Sequence, residues 1–174
     1  MSALVMYFSR AGENYGVGQV AEGNTAVMAR MVAEAAGADL YEIAPAVPYP
    51  EDYTRCTEQA KQEKRAGARP ALAAPVPDVS GYDVIFVGYP NWWGDAPMAV
   101  YTALEGLDLS GKRVAPFCTH EGSGLGATAR GVGRACAGAQ MLEGLAVQGR
   151  VAQNDRAAAR AAVEAWLGKL GLAA

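Results

Sequence analysis

Short apolar, β-branched or aromatic runs alternate along the chain with longer stretches whose apolar residues recur at helical spacing. The run at residues 84–87 is apolar throughout, as expected of a strand that is covered on both faces. The stretch that begins at Asn24 repeats apolar residues every three to four positions and ends at Gly37. The pattern predicts five strands, at residues 3–8, 39–43, 83–87, 113–118 and 141–147.

Five predicted helices separate or follow these strands. Asp95 is a candidate cap for the third helix, and Asp155 marks the start of the last one. Strands that alternate with helices predict an α/β fold: a doubly wound five-stranded parallel sheet with helices on both faces, for which we choose the strand order 2-1-3-4-5. The helices are predicted near residues 24–36, 51–66, 95–105, 125–136 and 155–170.

Two features depart from a minimal fold of this kind. The connection over residues 44–82 is longer than a crossover needs and contains the charged helix predicted at 51–66. We expect a solvated helix with surface loops there, rather than a partner-binding surface. Pro116 lies inside the fourth predicted strand, although proline is normally excluded from central strands, and the sequence offers no specific reason for it.

Composition limits the class of protein. The 174 residues suit a single domain, residues 1–174, and 51% hydrophobic against 19% charged residues is a globular composition. A net charge of −3 predicts no nucleic-acid partner and no membrane partner. Three cysteines without a Cys-x-x-Cys pair, a single histidine and no leader-like segment predict a cytoplasmic protein with reduced thiols and no metal site.

Ligands of doubly wound sheets bind beyond the carboxyl ends of the strands, so three loops are the candidate site. The first loop (residues 9–26) follows the first strand and holds Ser9, Arg10 and Ala11, then an insertion, then Asn24, Thr25 and Ala26 at a helix start. Hydroxyl and amide side chains beside the free N–H groups of a helix N-terminus suit a phosphate monoester. The alternative is that Asn24 or Thr25 simply caps the helix. No Gly-x-Gly-x-x-Gly or Walker motif is present.

The second loop (residues 88–97) follows the third strand and carries two tryptophans. Because loops lie on the surface, two adjacent indoles are unexpected there. One of them can support the loop from the core, and we expect the other to stack on a flat aromatic ligand. The candidate contacts are Pro90, Asn91, Trp92, Trp93 and Gly94.

The third loop (residues 119–124) follows the fourth strand and is rich in small residues, which let backbone N–H groups turn toward a ligand. Such donors suit the carbonyl oxygens and nitrogens of a heteroaromatic ring. His120 is a weak candidate for catalysis, because a lone histidine more often makes a hydrogen bond within its own loop. The candidate contacts are Thr119, His120, Glu121, Gly122, Ser123 and Gly124.

With these loops in place, the sequence resembles the flavodoxin family, in particular its single-domain flavodoxin-like proteins. The resemblance covers nearly the whole chain. It implies the flavodoxin-like fold and flavin mononucleotide (FMN) as the cofactor, with the phosphate at Ser9, Arg10, Asn24 and Thr25 and the ring against the second and third loops. It rests on Tyr7-Phe8-Ser9-Arg10, Gly23-Asn24-Thr25, the segment from Gly88 to Gly94 and the segment from Phe117 to Gly124.

One departure from the family pattern concerns the phosphate loop, which is usually compact. Here residues 12–22 separate its two halves, so a register that uses Gly12-Glu13-Asn14 competes with the one that uses Gly23-Asn24-Thr25. The amphipathic helix begins at Asn24, which favours the later register.

Three functions are compatible with this sequence. The first is an electron-transfer flavodoxin that serves a redox partner protein. The second is a small FMN-dependent reductase of the NAD(P)H:quinone type, with NAD(P)H as the donor and a small-molecule electron acceptor. The third is a flavin-free binding module of the same fold, which three intact loops make the least favoured.

Overall fold

The computed structural model describes residues 1–174 as one sheet flanked by helices, with a small hairpin beside it. None of the helices combines the length and the apolar character needed to cross a membrane. In chain order the elements are β1 (Ala3–Tyr7), β2 (Gly12–Asn14), β3 (Gly18–Val20), α1 (Asn24–Ala36), β4 (Asp39–Glu42), α2 (Tyr53–Ala66), β5 (Val84–Pro90), α3 (Met98–Glu105), β6 (Arg113–His120), α4 (Thr128–Ala135), β7 (Gln140–Met141), β8 (Leu145–Gln148), α5 (Gly149–Asn154) and α6 (Arg156–Leu170).

The main sheet has the order β4-β1-β5-β6-β7, and β8 also pairs with β6. All of these pairings are parallel, with Val5 beside Phe86 and Phe86 beside Ala115 in the centre. The predicted fold and strand order are therefore confirmed. Because the strands run in one direction, the ends of β1, β5 and β6 lie at the same edge.

The fifth predicted strand is divided into β7 and β8, and Pro116 is the reason. Leu142 N–H donates to Val114 O at 2.8 Å, so the polar groups of Val114 face the fifth strand, and those of Pro116, two residues on, face the same side. Proline has no N–H to give to that ladder. Gly144 crosses the gap so closely that a Cβ there would lie 3.0 Å from Pro116 O.

Each face of the sheet has its own apolar core. On one face α1 and α6 cover the sheet, and Trp166 of α6 packs edge-on against Phe86 and Phe117 at centroid distances of 5.7 and 6.4 Å. On the other face α3 and α4 pack over Ile85 and Val87. Helices on both faces explain why the β5 run is apolar throughout.

Several predicted boundaries were wrong. The cap residue of α3 is Pro97 and the helix begins at Met98, because the Asp95 carboxylate instead accepts hydrogen bonds from Ala96 N–H and the Tyr101 hydroxyl. Helix α4 begins at Thr128 rather than near residue 125. The hairpin β2–β3 and the short helix α5 were not predicted. The start of α6 was predicted correctly. Asp155 is its N-cap and accepts from Ala158 N–H at 3.1 Å.

Residues 44–82 contain α2 and otherwise irregular chain. The helix starts at Tyr53, two residues later than predicted, because Asp52 is its N-cap and accepts from Arg55 N–H at 2.8 Å. Beyond the helix, Arg69 forms a two-pronged ion pair with Glu105 of α3, with both N–O distances 2.8 Å. The segment is therefore attached to the body of the fold at a defined position.

We expect Gly88→Ala to destabilise the fold by about 1–3 kcal/mol, the usual cost of forcing extra volume into a packed core. A Cβ at Gly88 would lie 2.1 Å from the Phe117 ring in the neighbouring strand. Urea midpoints at unchanged slope measure the effect. The matched control is Gly168→Ala in α6, where nothing lies within 4 Å and a gain of about 0.5–1 kcal/mol is expected. Equal midpoints for the two variants would contradict this account of Gly88.

Candidate functional site

The two halves of the first loop meet at the N-terminus of α1, although residues 12–22 separate them in sequence. Gly23 is the N-cap of α1 and packs so tightly that a Cβ there would lie 2.2 Å from Ser9 Oγ and 2.6 Å from Arg10 O. Ser9 Oγ accepts from Ala26 N–H at 3.0 Å. The intervening residues form the hairpin β2–β3, which includes the competing Gly12-Glu13-Asn14 register. The later register is therefore the one that brings a helix N-terminus to Ser9.

The N-cap of α1 is Gly23, and the side chain that accepts a hydrogen bond from its first turn belongs to Ser9, so the simple-cap alternative for Asn24 or Thr25 is wrong. The Thr25 hydroxyl is buried and shares a hydrogen bond of 2.8 Å with the Thr119 hydroxyl, which links the first loop to the third. Asn24 Oδ1 accepts from Gln153 of α5 at 3.0 Å. The N–H groups of Asn24 and Thr25 thus remain available at the positive end of the helix dipole.

Arg10 makes different contacts from those expected of a phosphate ligand. Its guanidinium donates to the carbonyl oxygens of Pro50 at 2.8 Å and Glu51 at 2.6 Å, and also to that of Glu13. These bonds connect the first loop, the hairpin and the entrance to α2. Ala11, also predicted as a contact, is exposed next to it.

The two tryptophans of the second loop have separate roles. Trp92 packs edge-on against Phe8 and Tyr49, with centroid distances of 5.2 and 5.0 Å, and so supports the loop from the core as expected for one of the pair. Trp93 is 51% exposed, and its indole N–H donates to Thr57 O of α2 at 2.8 Å. Trp93 is also the one non-glycine residue with a positive φ, 58°. Strained backbone of this kind persists where surrounding contacts hold it, and it clusters at functional sites.

Asn91 joins the second loop to the third. Its backbone N–H donates to Thr119 O at 2.8 Å, and its side-chain Nδ2 donates to Gly124 O at 3.1 Å. Its Oδ1 accepts from Gly94 N–H at 2.9 Å, which closes the turn that contains both tryptophans. Pro90, the remaining predicted contact, is the last residue of β5 and directly precedes this junction.

In the third loop, His120 bonds locally. Its Nδ1 accepts from Gly122 N–H at 2.9 Å, which confirms the expected hydrogen bond within the loop. Burial lowers the pKa of His120, so the imidazole is neutral at neutral pH. Gly122 and Ser123 are exposed at the tip of the loop, where their backbone is accessible.

Glu121 points toward the first loop and the start of α5. A Cβ at Gly149 would lie 2.2 Å from Glu121 Oε1, and one at Gly16 in the hairpin would lie 2.7 Å from Oε2, so both glycines make room for this carboxylate. Oε1 is buried without a hydrogen-bond partner. Burial raises the pKa of Glu121, and the nearby Arg150 opposes that rise.

A cavity of about 370 Å³ opens beside the first two loops, and we call it the α2 cavity. Its volume falls in the range of about 300–1,000 Å³ typical of small-molecule sites. Four of the lining residues belong to α2 and were missed. Their positions follow the i, i+3, i+4, i+7 rule, which was the available signal, although the helix is rich in charged residues and the spacing is hard to see among them. The lining residues are Arg10, Asn14, Tyr53, Cys56, Thr57, Ala60, Asn91, Trp92 and Trp93.

Comparison with known proteins identifies the family of this chain. The family whose sequence model matches residues 3–167 is described as flavodoxin. A protein from Bacteroides eggerthii assigned as a flavoprotein is 33% identical, with 98% of each chain covered and a TM-score of 0.77. One from Bacteroides uniformis is 30% identical, with 96% of this chain and 97% of that chain covered and a TM-score of 0.77.

A more distant structure shares the fold. The flavoprotein from Lactobacillus acidophilus in complex with FMN is 21% identical, with 88% of this chain and 97% of that chain covered and a TM-score of 0.67. Among curated proteins, none matches the chain. The match over nearly the whole length and the 33% identity place the chain in the flavodoxin family.

Thr119→Val should lower the free energy of unfolding by about 1–3 kcal/mol, because it leaves the buried Thr25 hydroxyl without a partner. Denaturant titration measures this loss. The matched control is the double variant Thr25→Val with Thr119→Val, which has no unpaired hydroxyl and should lose less than the sum of the two single variants. Strict additivity would show that the two hydroxyls are not coupled.

Proposed function

We propose that this chain binds FMN non-covalently and uses it to pass electrons between redox partners. The observation that carries the proposal is the junction of three loops at one sheet edge, where Asn91 and the Thr25–Thr119 pair connect them beside the α2 cavity. Membership in the flavodoxin family and the FMN complex of the Lactobacillus acidophilus flavoprotein support FMN as the ligand.

The residues present fit the two ends of FMN. Ser9 and the backbone N–H groups of Asn24 and Thr25 suit the phosphate, with the helix dipole adding partial positive charge. A Cβ at position 23 would fill the space next to Ser9, so Gly23 keeps the phosphate end of the site open. The second and third loops offer an apolar wall for the ring and exposed backbone for its polar edge. In this assignment Arg10 acts mainly by positioning the loop rather than as a direct phosphate ligand.

FMN, when bound, supplies one- and two-electron redox chemistry, while the protein sets its access and potential. Asn91 holds Gly94 N–H at a fixed position next to the ring wall. Trp92, Phe8 and Tyr49 exclude water beneath that wall. His120 accepts a hydrogen bond on Nδ1 and is neutral, so the third loop adds no positive charge from the imidazole.

Partners and compartment are part of the proposal. We propose that the electrons pass to a redox partner protein. A reductase that takes NAD(P)H as donor is the second candidate, because the α2 cavity could also accept a small molecule. Three free, buried cysteines suit a reducing cytoplasm.

Purified protein tests the cofactor directly. We expect it to be yellow, or to bind added FMN with a saturable change in flavin fluorescence. A folded chain that stays colourless and leaves the fluorescence of added FMN unchanged would overturn the proposal.

Trp93→Ala should weaken FMN binding by more than the ~1 kcal/mol of an ordinary surface change, which is more than about fivefold in Kd. The indole is exposed at the site and its loss removes both the aromatic face and the bond to Thr57. Fluorescence titration gives the Kd, and Trp93→Phe, which keeps an aromatic face, should lose less. Unchanged affinity in the alanine variant would mean that the wrong indole was assigned.

Steady-state oxidation of NADPH with a quinone acceptor separates the two candidate functions. For an electron carrier we expect turnover no faster than with the same concentration of free FMN. Turnover well above that of free FMN would instead establish the reductase.

A further inference from the structure

The α2 cavity has two opposed walls. One is the second loop, through Asn91, Trp92 and Trp93; the other is a face of α2 made by Tyr53, Cys56, Thr57 and Ala60. We infer that α2 is the second wall of the flavin ring site, so that the ring lies between the second loop and this helix. The inference rests on the proposed binding of FMN and assigns to residues 53–60 a role that the family resemblance does not supply.

Contacts at both ends of the α2 face hold it opposite the second loop. Trp93 N–H donates to Thr57 O at 2.8 Å, Lys64 Nζ donates to Trp93 O, and Lys61 Nζ lies 5.2 Å from the Trp93 ring centroid. At the other end, the Arg10 guanidinium binds the carbonyls of residues 50 and 51, directly before the Asp52 cap. The strained φ of Trp93 fits a residue that is fixed by its bond to the helix.

The chemistry of the α2 wall suits a flat, uncharged ring. Cys56 and Ala60 are small and buried, one helical turn apart, so they leave space where larger side chains would fill it. The charged side chains of α2 occur at other positions; Glu58 and Arg65, for example, are exposed. The cavity extends to Arg10 and Asn14 of the first loop, the side from which a phosphate bound at α1 would connect to the ring.

Covering both faces of the flavin ring limits the routes by which it can exchange electrons. A nicotinamide passes its hydride to a flavin from above the ring plane, and α2 blocks that approach as long as it stays packed against Trp93. Electrons would then leave at the edge of the ring that stays exposed, on the side of the half-exposed Trp93. This arrangement favours the carrier over the reductase.

The test is a pair of identical substitutions on α2. Ala60→Phe fills the cavity from the inner face and should raise the Kd for FMN at least tenfold in fluorescence titration. Ala66→Phe places the same side chain on exposed surface at the end of the helix and should change the Kd less than twofold. If FMN binds wild type and Ala60→Phe equally well, the ring lies elsewhere and the inference is wrong. If wild type itself fails to bind FMN, it is the proposed function that fails.

A second measurement uses wild-type protein only, so it does not depend on whether a variant folds. Although its side chain is buried, Cys56 lines the α2 cavity, so a small alkylating reagent that enters the cavity reaches its thiol. The rate of this alkylation, followed by mass spectrometry while the full chain is titrated with FMN, should fall at least tenfold, with its midpoint at the Kd. Cys118 and Cys136, buried in the core next to the third loop and α4, are internal controls. An unchanged Cys56 rate at saturating FMN would overturn the inference, and so would equal protection of all three thiols, which reports folding instead of contact.

Discussion

The hydrogen bonds of Asn91 hold the edge of the sheet at which the site forms. A parallel sheet brings the ends of β1, β5 and β6 to one edge, but the loops that follow have no ladder to fix them. Asn91 supplies that missing order, because its backbone N–H and its amide reach Thr119, Gly124 and Gly94 at 2.8–3.1 Å. One side chain therefore fixes the backbone of two loops. With the Thr25–Thr119 pair, it makes three separate segments of chain into one framework.

The hairpin β2–β3 and α2 form a second structure above this framework. Arg10 binds carbonyls of the hairpin and of the entrance to α2, and Tyr15 of the hairpin stacks on Tyr53 of the helix. The two insertions that distinguish the chain from a minimal flavodoxin thus contact each other. Because the hairpin leaves the loop at Gly12 and returns at Gly23, it adds surface over the site while Ser9 stays against α1.

The sheet and the positions of the three loops could be predicted from the sequence because periodicity and loop chemistry are local signals. The hairpin could not, since residues 12–20 contain three glycines and each of its strands has only 3 residues, too few to show an alternating pattern. The role of α2 was also missed, because its many charged and polar residues hide a short inner face that only packing against Trp93 makes visible. Likewise, Thr25 looked like a free hydroxyl in the sequence, and only its neighbour across the sheet edge, Thr119, shows that it is already bonded.

Pro116 has a further effect, on how copies of this chain behave toward one another. An uninterrupted strand at the border of a sheet presents unpaired backbone groups to which another chain can add. Because Pro116 breaks the ladder, that border consists of a two-residue β7 and a four-residue β8 separated by residues 142–144. Short, broken borders are poor templates for intermolecular pairing. The proline that looks out of place in a central strand thus protects its neighbour from uncontrolled self-association.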